Sequence, residues 1–260
     1  MTAKTILITG ATDGLGLETA KRLAAEGHHV IIHGRNATKL ASARESLDSS
    51  LTFQADLSDL EQVRDLAERV LADTPRLDVL INNAGVYRTP DPIRSDGQDV
   101  RFVVNTLAPY LLGRLLKSHM APRGRVVNLS SAAQASVDLE ALAGERALDD
   151  MAAYAQSKLA LTMWSVELGL SETSPIQIAV NPGSLLATKM VKEGFGVAGS
   201  DIGIGADILI RAALSEEFAD ASGRYYDNDA RRFAHPHPDA MILETRRSVF
   251  ELIQKLTGHT

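Results

Sequence analysis

The sequence predicts an α/β fold in which helices cover both faces of one doubly wound parallel sheet. Short apolar runs alternate with longer helical patterns along its 260 residues, an order typical of parallel strands joined by crossover helices. The first apolar run is followed at once by a glycine-rich turn and a helical pattern. No linker, repeat or low-complexity segment interrupts this order, so we expect residues 1–260 to form a single domain.

The N-terminal segment has the pattern of a nucleotide-binding unit. Lys4 to Thr9 is a β-branched apolar run and predicts a buried strand. Leu17 to Gly27 reads as an amphipathic helix closed by a glycine, and Val30 to His33 is the next apolar run. The glycines of Gly10 to Gly16 follow the order GxxxGxG, a variant of the dinucleotide fingerprint. A glycine loop alone is often only a turn, but between a strand and a helix it predicts a Rossmann-type pyrophosphate site.

The remaining elements follow the same alternation. Ser58 and Glu61 have the spacing of a capping box, which predicts a helix start. Right-handed crossovers would bring ligands to the carboxyl ends of the strands. The expected elements are strands at Leu51–Gln54, Leu77–Asn82, Arg125–Leu129, Ile176–Val180 and Arg224–Tyr226, and helices from Ser58 to about Ala72, through Asn105 towards Lys117, at Ala153–Gly169, near 205–214 and at the C-terminus.

Composition excludes several classes of protein. The net charge of −6 argues against a nucleic-acid partner, which would favour a basic surface. No apolar stretch is long enough to span a bilayer, and the N-terminus lacks a signal-peptide pattern. The chain has no cysteine, which excludes disulfides and thiolate chemistry. We therefore expect a cytoplasmic enzyme with no membrane span.

The most informative pair of residues is Tyr154 and Lys158. On a helix, residues four apart lie on the same face. A phenol has an ordinary pKa of about 10, and a nearby ammonium would bring that pKa towards neutrality. A lone pair of this kind is common by chance on a partly solvated helix face. Its interpretation therefore depends on the other motifs in the chain.

Taken in order, the motifs resemble those of the short-chain dehydrogenase/reductase family. They span most of the chain in the family's order. Within the family, the chain is most similar to the branch of retinol dehydrogenases and the WW-domain oxidoreductase. The residues that carry the resemblance are Thr9-Gly10, Gly14-Leu15-Gly16, Asp56-Leu57, Asn82-Asn83-Ala84-Gly85, Asn105, Ser131, Tyr154, Lys158 and Asn181-Pro182-Gly183.

The resemblance implies a catalytic role for four residues. Tyr154 would be the general acid when a carbonyl is reduced and the general base when an alcohol is oxidised. Lys158 would hold the nicotinamide ribose and lower the pKa of the phenol. Ser131 would hydrogen-bond the substrate oxygen, although Ser130 could take that place. Asn105 would anchor a water for proton relay, or it could only satisfy backbone groups at a helix start.

The resemblance also implies a set of cofactor contacts. Asp56 would lie near the adenine, although it could be an ordinary helix N-cap. The Asn83 segment would border the cofactor, although Asn and Gly also favour simple turns. Thr188 would lie near the nicotinamide, at a spacing one residue longer than the family's. The expected cofactor-binding residues are Gly10, Thr12, Asp13, Gly14, Leu15, Gly16, Arg35, Asn36, Asp56, Leu57, Asn83, Ala84, Gly85, Tyr154, Lys158, Pro182, Gly183 and Thr188.

The choice between NADP(H) and NAD(H) depends on the end of the second strand. An NAD site places an acid there for the ribose hydroxyl, whereas an arginine suits a 2′-phosphate. His33-Gly34-Arg35-Asn36 contains no acid and offers an arginine. Asp13, an acid in the glycine loop, points the other way, and Arg35 could be a solvated surface residue. We predict NADP(H), with NAD(H) not excluded.

Two further segments each allow two interpretations. The glycine-rich region near 188–205 predicts a lid over the substrate or a surface loop. His235-Pro236-His237-Pro238 invites a metal interpretation, but no third ligand has a suitable spacing, so we expect an extended loop and no metal.

Two functions are compatible with these patterns. The first is an NADP(H)-dependent oxidoreductase that interconverts a carbonyl compound and an alcohol. The alternative is a cofactor-binding sensor or scaffold protein without turnover, but such a protein would be expected to have lost Tyr154 or Lys158. A homodimer or homotetramer is expected by similarity to the family.

Overall fold

The computed structural model describes residues 2–47, 51–74 and 76–259. Eight strands form one sheet in the order β3-β2-β1-β4-β5-β6-β7-β8. The first seven pair in parallel, and β8 is antiparallel to β7. This confirms the predicted doubly wound parallel sheet. The strands are β1 (Thr5–Ile8), β2 (His29–Gly34), β3 (Thr52–Gln54), β4 (Leu77–Asn82), β5 (Met120–Leu129), β6 (Ile176–Asn181), β7 (Arg224–Asp227) and β8 (Arg232–Ala234).

Helices cover both faces of this sheet. Alternate residues of β1 point to opposite sides: Ile6 and Ile8 join the core beneath α1, α2 and α9, while Leu7 joins the core beneath α3 and α5. The helix α7 packs against β6 and α11. The helices are α1 (Gly14–Ala25), α2 (Ala37–Leu47), α3 (Leu60–Asp73), α4 (Val100–Phe102), α5 (Ala108–Leu116), α6 (Leu139–Leu142), α7 (Asp150–Ser171), α8 (Lys189–Phe195), α9 (Ile202–Leu214), α10 (Pro238–Met241) and α11 (Leu243–Thr257).

Several local predictions differ from the structure at helix ends. The first helix begins at Gly14 and not at Leu17, because the Asp13 carboxylate caps its first turn. The third helix is capped by Asp59 and not by Ser58, since the Asp59 side chain accepts from the Glu61 amide. Strand β5 begins at Met120, earlier than the predicted Arg125.

The sequence did not predict five of the elements in the described residues, namely α2, α6, α8, α10 and β8. The helix α2 buries only Leu40, Ala43 and Leu47, so its apolar pattern is weak, but Asn36 accepts from the Lys39 amide at its start. The short helix α8 lies inside the expected lid region, and β8 adds a hairpin at the edge of the sheet. Among the described helices, none is both long and apolar enough to cross a membrane.

Candidate active site

The candidate site lies along the carboxyl ends of the central strands. The strand order reverses between β1 and β4, because β2 follows on one side of β1 and β4 lies on the other. In open α/β sheets this switch point is where ligands bind. The predicted glycine loop, the Asn83 segment, Ser131 and Pro182 all follow strands β1, β4, β5 and β6 at this edge.

The glycine loop is locked against the end of β4. Asn83 donates its amide hydrogens to the carbonyls of Thr9 and Gly10, at 2.9 and 3.0 Å. Gly10 has a φ of +65°, and a Cβ there would lie 2.9 Å from the Cα of Ala84. A Cβ on Gly16 would lie 2.4 Å from the Asn83 amide nitrogen. The two segments can approach this closely only because both positions are glycine.

The start of α1 offers backbone groups to a ligand. The Asp13 carboxylate accepts from the Gly14 amide at 2.8 Å. Leu15 is buried, and its side chain packs with the core beneath α9. A helix N-terminus with unpaired amides and a positive dipole end suits a pyrophosphate. These residues therefore fit a dinucleotide through their main chain.

Charged residues gather where the adenosine end of a dinucleotide would lie. Arg35 and Asn36 follow β2 and are exposed. Lys39, one turn into α2, forms an ion pair with Asp13 at 2.7 Å. The Lys39 ammonium holds the pKa of the Asp13 carboxyl below its usual range. The negative charge of Asp13 in the glycine loop is thus compensated by Lys39, a residue that the sequence did not single out.

The end of β3 contributes a turn beside this region. Asp56 accepts from the Ser58 amide at 2.9 Å, and Leu57 is buried. Asp56 is therefore not the N-cap of α3, and that alternative interpretation is wrong. On the facing side, Thr12 packs closely on Gly34, where a Cβ would lie 2.3 Å from the Thr12 methyl.

His33 links three strand ends beneath the glycine loop. Its Nδ1 accepts from the Gly10 amide at 3.3 Å, and its Nε2 lies 3.1 Å from the Ala55 carbonyl. The ring is 2% exposed, and burial lowers its pKa to about 4. These bonds suit a neutral imidazole that accepts at Nδ1 and donates at Nε2.

The reactive side chains meet at the end of β5. Ser131 lies close enough to Tyr154 for its hydroxyl to influence the pKa of the phenol, and Lys158 donates to the Leu129 carbonyl at 2.7 Å. The Lys158 ammonium lies 5.8 Å from the centre of the Tyr154 ring. Burial lowers the pKa of Lys158 to about 8. It also raises the pKa of Tyr154, while the Ser131 hydroxyl opposes that rise. In the protein alone, burial therefore shifts the pKa of the phenol upwards, opposite to the lowering that the sequence suggested.

The neighbouring Ser130 faces away from Tyr154. Its hydroxyl lies 2.6 Å from the Thr162 hydroxyl and accepts from the side-chain amide of Gln134 at 3.3 Å. Ser130 is 3% exposed, whereas Ser131 is half-buried. Of the two serines, Ser131 is the one brought to Tyr154.

Asn105 lies in the interior of a helical segment and not at its start. It belongs to a π-helical turn, Val103–Leu107, which joins α4 to α5. Its side chain accepts from the Val86 amide at 2.8 Å and donates to the Val86 carbonyl and the Ser157 hydroxyl, both at 2.9 Å. Asn105 therefore ties the segment after β4 to the helix that carries Tyr154.

The end of β6 borders the opposite side of the cleft. Asn228 donates to the Pro182 carbonyl at 2.9 Å, and Gly183 follows with a φ of +120°. Thr188 caps α8, and its methyl lies 3.8 Å from the position of a Cβ on Gly14. The start of α8 thus lies against the glycine loop.

The segment His235–Pro238 is not an extended loop throughout, because the helix α10 begins at Pro238. The His237 side chain accepts from the Asp239 amide at 3.3 Å and so caps α10. The His237 amide donates to the Gln134 side chain at 2.9 Å. Across the described parts of the chain, no three side chains of metal-binding type come together.

Three residues near the site escaped the sequence analysis. Lys39 stands one helical turn after Arg35, and an Asn36 cap was the available signal. His33 resembled any polar strand residue. Tyr87, two residues after Gly85, is 5% exposed, and its ring meets Tyr154 edge-on. Nothing in local sequence indicates such a contact.

Comparison with known proteins gives a consistent family. Residues 4–195 match the model of the short chain dehydrogenase family. The chain is 31% identical to retinol dehydrogenase 13 of Homo sapiens, over 98% of this chain and 85% of that protein.

The chain is also similar in fold to solved structures. An uncharacterised protein of Mycobacterium paratuberculosis has a TM-score of 0.81 and 27% identity, with 98% of this chain and 94% of that chain covered. A short chain dehydrogenase from Escherichia coli CFT073, complexed with NADPH, has a TM-score of 0.68 and 27% identity, with coverage of 88% and 97%.

His33 makes the stability of the fold depend on pH. Its folded pKa of about 4 lies below the ordinary value of 6.5, so the unfolded chain binds more protons between these values. The free energy of unfolding should therefore fall by about 2 kcal/mol as the pH drops from 7 to 4.5. Urea unfolding of the wild type and of His33→Gln at both pH values measures this contribution.

A matched control is available for this measurement. His235→Gln changes an exposed histidine and should keep the wild-type pH dependence. Equal pH dependence in the wild type and His33→Gln would contradict the assignment.

Proposed function

Since the chain belongs to the short-chain dehydrogenase family and is an NAD(P)-dependent oxidoreductase, we propose that Tyr154 is its general acid and base and that NADP(H) is its preferred cofactor. The reaction interconverts a carbonyl compound and an alcohol. The observation that carries this proposal is the contact of Ser131 with Tyr154 beside the buried Lys158.

The proton chemistry rests on these side chains. During reduction the Tyr154 hydroxyl donates its proton to the substrate oxygen, and during oxidation the Tyr154 phenolate removes the proton from the alcohol. Ser131 donates a hydrogen bond to the same oxygen and stabilises its charge. The Lys158 ammonium has three hydrogens, of which one is used by the Leu129 carbonyl, so two remain for ribose hydroxyls. The nicotinamide, when bound, supplies or accepts the hydride.

A proton relay at Asn105 stays a prediction. Both amide hydrogens of its side chain are used by the Val86 carbonyl and Ser157. A relay water would therefore use other atoms of this residue.

The cytoplasmic location and the homodimer or homotetramer also stay predictions. The alternative of a sensor or scaffold without turnover requires none of the contacts among Ser131, Tyr154 and Lys158.

The preference for NADP(H) is supported by the cations after β2. Arg35 and Lys39 lie in the region where an adenosine 2′-phosphate would bind, and Asp13 is neutralised by Lys39. A relative in structure, the Escherichia coli dehydrogenase, is complexed with NADPH. The His33 ring and the Asp13 carboxylate accept from the Gly10 and Gly14 amides, so the next amides of the first turn of α1, those of Leu15 and Gly16, would hold the pyrophosphate.

Tyr154→Phe should remove turnover but keep cofactor binding, because it deletes only the transferable proton. We expect kcat to fall by about 100-fold or more. The assay is a screen of aldehydes and ketones with NADPH that includes all-trans-retinal, since several relatives are retinol dehydrogenases. Tyr110→Phe removes a buried hydroxyl outside the site and serves as the control. Substantial activity in Tyr154→Phe would refute the role.

Fluorescence titrations with NADPH and NADH test the cofactor preference. Wild-type protein should bind NADPH more tightly. Arg35→Ala and Lys39→Ala should each weaken NADPH binding by about tenfold, since a charge-assisted hydrogen bond is lost, and leave NADH binding nearly unchanged. Lys255→Ala on α11 is the control. Tighter binding of NADH by the wild type would overturn the preference.

A further inference from the structure

Tyr87 occupies a fixed position between the reactive residues and the protein surface. Its ring centre lies 5.3 Å from that of Tyr154, with the planes at 67°. The guanidinium of Arg88 lies 5.3 Å from the Tyr87 ring centre, and Arg88 pairs with Asp150 on α7 at 3.6 Å. The ring is therefore held by groups on both the β4 segment and α7.

The lid helix α8 sits directly on this ring. A Cβ on Gly194 would lie 2.6 Å from the Cδ1 and Cε1 atoms of Tyr87, closer than real Cβ contacts allow. The other end of α8 approaches the cofactor region, where the Met190 methyl lies 4.0 Å from the position of a Cβ on Gly85. The helix thus spans from the Asn83 segment to Tyr87.

We propose that Tyr87 is a specificity-determining residue, because its ring is the seat on which α8 closes and so limits the size of the carbonyl compound beside Tyr154. The limit on substrate size rests on the proposed function. The seat itself rests only on the contact between Gly194 and the ring.

The limit on substrate size is steric. With α8 in contact with Tyr87 and Tyr87 in contact with Tyr154, the ring fills the space that a bulky substituent would need. Replacing the ring with a smaller side chain opens that space. Placing a methyl on α8 instead forces the helix away from its seat.

Limited proteolysis with trypsin tests the seat without any ligand. Cleavage after Lys189 and Lys192 requires α8 to open locally, so its rate follows the open population. Alanine favours a helix over glycine by up to about fivefold in the equilibrium constant. Without the seat, Gly194→Ala should slow cleavage. With the seat, the clash should accelerate cleavage by about fivefold or more.

A comparison in the Tyr87→Leu variant separates a clash between the methyl added by Gly194→Ala and the Tyr87 ring from a general loss of stability caused by Gly194→Ala. In Tyr87→Leu the ring is absent, so adding Gly194→Ala should slow cleavage relative to Tyr87→Leu alone. Gly113→Ala in α5 is a matched control, because a Cβ there meets nothing within 4 Å. Slower cleavage of the single Gly194→Ala variant, or acceleration in both backgrounds, would overturn the proposal.

Substrate selectivity tests whether Tyr87 limits the size of the carbonyl compound. With NADPH, Tyr87→Leu should raise the ratio of kcat/KM for 2-naphthaldehyde to that for butanal by about tenfold, with NADPH binding unchanged. An unchanged ratio in an active variant would overturn the limit on size. A wild-type protein that neither binds NADPH nor turns over any carbonyl would refute the proposed function, while the proteolysis result would still decide whether the seat exists.

Discussion

The side-chain amide of Asn83 joins the two strand ends on which the site is built. Its hydrogens go to the carbonyls of Thr9 and Gly10, so the turns after β1 and β4 are held at a fixed separation. The chain then continues through Gly85 to Val86, which Asn105 clamps at both backbone groups. The side chains of Asn83 and Asn105 therefore fix the segment after β4 to the glycine loop on one side and to the helix that carries Tyr154 on the other.

Burial sets the electrostatics of this region more than ion pairing does. Lys158 is 4% exposed, and its pKa falls to about 8 because burial removes water from the ammonium. Desolvation acts on Tyr154 in the opposite sense, since the charged form of a phenol is an anion. Exclusion of water strengthens hydrogen bonds and charge interactions during the reaction. Burial of these polar groups also lowers the stability of the fold, and the hydrophobic cores on the two faces of the sheet must offset that loss.

The sequence was sufficient for the parts of the molecule that depend on local pattern. The order of strands and helices, and the positions of Tyr154 and Lys158 on one helix, follow from periodicity and spacing. Contacts between distant segments do not. Local patterns do not encode how loops pack. Loop packing determines the pairing of Asp13 with Lys39, the approach of Gly194 to Tyr87 and the raised pKa of Tyr154. The helix α2 was missed because only three of its residues reach the core.

The two outermost strands of the sheet, β3 and β8, are each three residues long. An unpaired strand edge is a template for another chain, and the number of hydrogen bonds that it can offer grows with its length. Edges this short provide little for an intruding strand to extend, so the protein is protected from edge-to-edge aggregation at both margins. Self-association of folded copies through strand pairing is therefore disfavoured at both edges of the sheet.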